Sequence, residues 1–160
     1  MADAVDGVRV RTASLDDLPV LRDLYRRSSL SNPEDAEALL ARPELLVLAD
    51  AGVRSGWTRL AVDGGGGVLG FATAVPVDDG TLELDDLFVD PVAMGRGVGR
   101  LLVADVVERA RREGVGRVVV TGNRRAVPFY ERVGFVAVGE VATLLSPGIR
   151  LHLTVPPDPA

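Results

Sequence analysis

Asp90-Pro91-Val92-Ala93-Met94-Gly95-Arg96-Gly97-Val98-Gly99-Arg100-Leu101-Leu102 sets three glycines between an apolar, strand-like run and an amphipathic, helix-like run. Glycines in such a turn leave backbone N–H groups open, and the helix that follows adds the positive end of its dipole. Together they make a site for a phosphate or diphosphate. Gly95, Arg96, Gly97, Val98, Gly99 and Arg100 are therefore the candidate anion-binding residues, and a nucleotide-bearing cofactor is the expected ligand.

The commoner phosphate loops do not fit. In a dinucleotide G-x-G-x-x-G fingerprint the third glycine would fall on Arg100, and a Walker loop needs a lysine. All 18 Lys+Arg side chains are arginine, which also excludes Schiff-base chemistry on the enzyme. The absence of cysteine removes disulfides and thiol nucleophiles, and with His152 the single histidine no metal site is expected.

At 160 residues, 47% hydrophobic and 26% charged, the chain reads as one soluble domain over residues 1–160. Its ordered core is expected over residues 8–155, with tails at 1–7 and 156–160. A net charge of −5 argues against nucleic acid as a partner. No apolar run is long enough for a membrane span and the first residues lack a signal-peptide pattern, so a cytoplasmic location is expected. Asp78, Asp79, Glu83, Asp85, Asp86 and Asp90 crowd ahead of the glycine turn. That cluster reads either as a solvated hairpin or as a negative mouth for a cationic substrate.

Along the chain, Val8–Arg11 reads as a strand, and Ser14 to Asp17 as a capping box before a helix bearing Leu18, Leu21, Leu24 and Tyr25 at helical spacing. Asn32-Pro33 starts a second helix, and a short helix is expected over Leu45–Ala49. Trp57–Val62 and Val68–Val75 form a hairpin around Gly64 to Gly67, and a third strand runs from Thr81 to Val89. Val98, Leu101, Leu102, Val106 and Ala110 share one face of the helix after the glycine turn. A strand over Arg117–Thr121, a helix over Ala126–Val133 and a final hairpin, Phe135–Leu144 with Ile149–Val155, complete the order. The expected fold is α/β, with about seven strands in a central mixed sheet flanked by four to five helices.

Two segments carry a family resemblance. Leu84-Asp85-Asp86-Leu87-Phe88-Val89-Asp90-Pro91 leading into Gly95-Arg96-Gly97-Val98-Gly99-Arg100 resembles the acetyl-coenzyme A segment of the GCN5-related N-acetyltransferases, R/Q-x-x-G-x-G/A. Asn123-Arg124-Arg125-Ala126-Val127-Pro128-Phe129-Tyr130-Glu131-Arg132-Val133-Gly134-Phe135 is similar to that family's N-x-x-A-x-x-F-Y-x-x-x-G-F stretch. Met94 departs from the pattern, standing where the family usually has arginine or glutamine.

The resemblance implies an acetyl-coenzyme A-dependent N-acetyltransferase, with direct attack by a primary amine of a small molecule or peptide. It implies that Gly95 to Arg100 hold the diphosphate, that Leu87, Phe88 and Val89 line the pantetheine arm, and that Asn123 and Phe129 contact the cofactor. Tyr130 is the implied general acid, since a tyrosine is protonated at neutral pH. Asp85, followed by Glu83, is the candidate for receiving the amine proton or orienting water. Asn123 also suits a helix cap. A homodimer is implied as well. His152, Arg26 and Arg27 carry no assigned role. The alternative is a non-catalytic acyl-coenzyme A-binding sensor, which would keep the glycine turn without needing Tyr130 or an acidic pocket.

Overall fold

The computed structural model describes residues 5–145 and 147–157. Its strands are β1 (Arg9–Thr12), β2 (Thr58–Val62), β3 (Val68–Asp78), β4 (Thr81–Val89), β5 (Arg117–Gly122), β6 (Val136–Val141) and β7 (Gly148–Thr154). They form a seven-stranded mixed sheet in the order β1-β2-β3-β4-β5-β7-β6. β4 and β5 are parallel, from Thr81↔Arg117 to Leu84↔Val120, whereas β7 pairs antiparallel with both β5 and β6. The helices are α1 (Leu18–Leu30), α2 (Pro33–Ala41), α3 (Ala51–Arg54), α4 (Val98–Arg112) and α5 (Val127–Arg132). The expected fold class is the observed one.

Contacts divide the chain into two compact units, one of residues 5–73 and 86–102, the other of residues 74–85 and the described part of 103–157. In the first, Leu18, Leu21 and Leu24 of α1 turn one apolar face onto Leu60, Val62 and Phe71 of β2 and β3. Tyr25 and Phe88 pack against this cluster, their rings edge to face at 4.9 Å, and Phe88 stacks on Phe71 at 5.6 Å. Leu82, Leu84, Val118, Val119, Val120, Leu151 and Leu153 are buried in the second unit.

Local signals set most element ends. Asn32 caps α2 by accepting from the Glu34 N–H at 3.2 Å. In the turn after β2, the Asp63 carboxylate accepts from the N–H groups of Gly65 (3.0 Å) and Gly67 (2.8 Å), and Gly66 alone in that turn takes a positive φ. α4 ends in a Schellman motif: Val115 N–H donates to the Ala110 carbonyl, Gly114 N–H donates to that of Arg111, and Gly114 has φ +72°.

One expectation is corrected. Leu45–Ala49 is not a helix: a 3-10 turn ends at Leu46, Val47 is extended (φ −106°, ψ 115°), and helix resumes only at Ala51. Gly52 lies inside α3, where a Cβ would stand 2.6 Å from Thr73 Cγ2 and 2.8 Å from Thr58 Oγ1. Close approach to the sheet, not termination, is what requires glycine there. Of the expected tails, residues 1–4 and 158–160 lie outside the described residues, as does Ser146 of the last hairpin. Val5 is described and bonded, its carbonyl accepting from Val8 N–H at 3.0 Å.

Asp17 ties β1 to the start of α1. Its carboxylate accepts from Ser14 N–H at 2.7 Å and takes the fork of Arg11, Nη1 and Nη2 each at 2.9 Å. The Arg11 hydrogen bond is the largest cause that pulls the Asp17 pKa down to about 2. Because the folded value lies below the unfolded one, this stabilisation is complete above the ordinary carboxylate range and is lost as pH falls towards about 2. Asp17→Asn should therefore lower the unfolding free energy by about 1–2 kcal/mol at neutral pH. In denaturant titrations the gap from the parent should close on acidification through that window.

Candidate active site

The glycine turn is built by the residues on either side of it. β4 ends at Val89, and Asp90 then donates its N–H to the Leu69 carbonyl (2.8 Å) while its own carbonyl accepts from Ala93 N–H (2.8 Å). Asp90 Oδ1 accepts from Val92 N–H at 3.1 Å and caps a 3-10 turn over Pro91–Ala93. Gly95 and Gly97 follow with φ +79° and +83°. These are left-handed conformations that cost an L side chain about 1–2 kcal/mol. Gly97 gives its carbonyl to Leu101 N–H at 3.0 Å, opening α4, whose first-turn amides have no acceptor within the helix.

Of the three glycines, two supply positive φ, and Gly99 lies inside α4. A Cβ on Gly95 would meet nothing within 4 Å, and one on Gly97 would meet only Val5 Cγ2, at 3.4 Å. Space therefore lies over the turn where side chains would otherwise stand. With the positive end of α4, that suits a diphosphate. Arg96 and Met94 are exposed there.

Gly70, on β3, is a position of close approach that the sequence reading missed. A Cβ there would lie 2.8 Å from the Phe88 carbonyl oxygen, 3.2 Å from Val98 Cγ1 and 3.3 Å from Leu102 Cδ1. A glycine inside a strand pattern was the available signal for such an approach. Leu87, Phe88 and Val89 are half-buried, but the Phe88 ring belongs to the apolar cluster with Tyr25 and Phe71. What Phe88 can offer a ligand is its backbone.

In the second unit, Tyr130 is held by the residues that follow it. Phe135 N–H donates to the Tyr130 carbonyl (2.9 Å) and Gly134 N–H to that of Glu131 (3.1 Å), a second Schellman motif with Gly134 at φ +109°. Its usual apolar contact is present: the Phe135 and Tyr130 rings sit edge to face at 5.4 Å. Phe129 packs on Tyr130 at 5.2 Å, and Gly122 closes the other side, where a Cβ would stand 3.0 Å from Tyr130 Cε2. Burial pushes the Tyr130 pKa up to about 12, so the phenol keeps its proton. Asn123 Oδ1 accepts from Ala126 N–H at 2.9 Å, which makes it the cap of the 3-10 turn before α5.

The two carboxylate candidates differ. Glu83 Oε2 accepts from Arg150 Nη1 at 2.6 Å, and the same nitrogen donates to Thr121 Oγ1 at 3.0 Å. Asp85 is at an exposed position, yet crowding by protein atoms and then the charge of Glu83 raise its pKa. Both influences favour the protonated form of Asp85. His152 is held below its ordinary value by desolvation and then by Arg117 and Arg150. Arg27, left without a role by the sequence, is clamped between Asp23 (2.7 Å) and Asp90 (2.9 Å).

With this geometry in place, three comparisons bear on it. The model of the Acetyltransferase (GNAT) family matches residues 18–135. The chain is 31% identical over 139 residues to glucosamine 6-phosphate N-acetyltransferase 1 of Oryza sativa subsp. japonica, covering 82% of each chain. It is 37% identical over 54 residues to glucosamine 6-phosphate N-acetyltransferase of Trypanosoma brucei brucei, covering 34% of this chain and 37% of that one. Among solved structures, yncA from Salmonella typhimurium, with its cofactor acetyl-CoA, shares the fold at a TM-score of 0.70 and 19% identity, over 97% and 98% of the two chains.

Gly70→Ala should destabilise by about 1–3 kcal/mol, because a backbone carbonyl must move to admit the methyl. Gly95→Ala meets open space and should cost only the left-handed strain, about 1 kcal/mol. Denaturant unfolding of the two variants ranks them.

Proposed function

The chain belongs to the acetyltransferase (GNAT) family, and from that premise we propose that it is an N-acetyltransferase that moves the acetyl group of acetyl-coenzyme A to a primary amine of a small molecule or peptide. The observation that carries this reading is the pair of left-handed glycines, Gly95 and Gly97, opening onto the N-terminus of α4. Bound acetyl-coenzyme A supplies an activated acetyl thioester.

Amides of the turn and of the first turn of α4, from Gly95 to Arg100, receive the diphosphate. Leu87, Phe88 and Val89 receive the pantetheine arm through their backbone groups, as an added strand would. Asn123 and Phe129 complete the cofactor contacts. Asp85 accepts or relays the proton lost by the acceptor ammonium, its raised pKa bringing it closer to that task. Glu83, engaged by Arg150, serves instead to raise Asp85 and to hold Arg150 in place. Tyr130 donates its hydroxyl proton to the leaving sulfur, and the buried ring that raises its pKa keeps that proton available. The amine nitrogen gains the carbon that sulfur loses, and no covalent enzyme intermediate is needed. Working as a homodimer is part of the same reading.

The test is release of free thiol from acetyl-coenzyme A across a panel of amino sugars, polyamines, amino acids and peptide N-termini. Turnover with at least one amine supports transfer. Tight coenzyme A binding with no acceptor in any class would favour the sensor alternative. Tyr130→Phe should lower kcat about 100-fold while leaving KM for acetyl-coenzyme A nearly unchanged. The parent should show no alkaline fall from this group below its pKa of about 12. Asp85→Asn should cut kcat/KM for the amine about tenfold or more at neutral pH, with the gap from the parent closing on acidification as the parent's own Asp85 takes up a proton.

A further inference from the structure

We propose that Arg27 is a positioning residue for the cofactor turn, acting through Asp90. The inference rests on the acetyl-coenzyme A reading above and assigns to a helix arginine a part in holding that ligand, although Arg27 is not placed in contact with it.

Asp90 is the junction between the cofactor strand and the glycine turn. Its backbone N–H ends β4 on Leu69, its carbonyl starts the 3-10 turn at Ala93, and its Oδ1 holds Val92 N–H. That same oxygen takes Arg27 Nη1 at 2.9 Å, while Arg27 Nε donates to Asp23 Oδ2 at 2.7 Å. Asp90 is only 9% exposed. A carboxylate buried this far needs a counter-charge, and Arg27 supplies it from α1, sixty-three positions earlier in the chain.

Two consequences follow from removing Arg27. The Asp90 side chain would turn towards water, releasing Val92 N–H and loosening the path into Gly95 and Gly97. In addition, an uncompensated negative charge would stand at the head of a turn that receives an anion, which repels the ligand. Asp23 is different: it is an exposed partner one helical turn away on α1, and its loss leaves the Arg27–Asp90 pair intact.

The experiment measures coenzyme A affinity by calorimetry, which needs no acceptor, on the parent, Arg27→Met, Asp90→Asn, the double variant and Asp23→Ala. Arg27→Met should raise Kd about fivefold or more, with KM for acetyl-coenzyme A rising in step and kcat within about twofold. The double variant should bind better than Arg27→Met, because the orphan charge is gone and the asparagine oxygen can still cap Val92. Asp23→Ala should bind like the parent. Arg27→Lys should restore part of the loss, and it keeps the question open to measurement if Arg27→Met does not fold. If folded Arg27→Met binds as tightly as a parent that itself binds, the positioning role is overturned and the acetyltransferase reading stands. If the parent does not bind coenzyme A at all, both fall together.

Discussion

At Gly70 the Phe88 carbonyl of β4 approaches more closely than a Cβ would permit, at 2.8 Å, and the side chains of Val98 and Leu102 in α4 stand tight at 3.2 and 3.3 Å. The proposed backbone role of Phe88 depends on that approach. It sets the amide end of α4 down on the strands, and it fixes which way the Phe88 peptide faces, because a carbonyl that points at Gly70 cannot also point at a ligand. The ring of Phe88 is fixed at the same time, wedged between Tyr25 and Phe71.

The charged groups follow a comparable economy. Asp17, Glu83 and Asp90 each have an arginine, Arg11, Arg150 and Arg27 respectively, at 2.6–2.9 Å. Asp85 lies beside one of these paired acids, and desolvation, then the negative neighbour, shifts it in the opposite direction from Asp17 and Asp90. The same residue type is pushed down where structure is needed and up where a proton acceptor is proposed. Arginine, with its planar fork and permanent charge, suits the pairing role, and a chain with no lysine commits every cation to it.

Where local chemistry decides structure, the sequence was readable. Thr81 to Val89 as a strand, Asn32 as a cap, the hairpin at Asp63 and the apolar face of α4 all follow from period, cap or turn residues. Tyr130 and the glycine turn could be singled out because their motifs are contiguous. Less legible was whatever depends on residues far apart in the chain. Arg27 carries no role in the sequence because its partner is Asp90, and the pairing of Glu83 is hidden because Arg150 is distant in sequence. The need for glycine at Gly52 is hidden for the same reason, since what it avoids is Thr58 and Thr73 on the sheet. Val47 to Ala49 failed differently: an apolar run without periodicity does not distinguish helix from extended chain.

The Schellman motif at the end of α5 has an evolutionary corollary. Tyr130 contributes a carbonyl to Phe135 and a ring to the cluster of Phe129, Phe135 and Gly122, and none of these duties involves its hydroxyl oxygen. Architecture and proposed chemistry therefore meet in one residue yet remain separable by one atom. A single-base change in the codon, tyrosine to phenylalanine, would preserve the scaffold while removing the proposed acid. On that reading, lineages built on this helix end lie one mutational step from losing the acid while keeping the fold that binds.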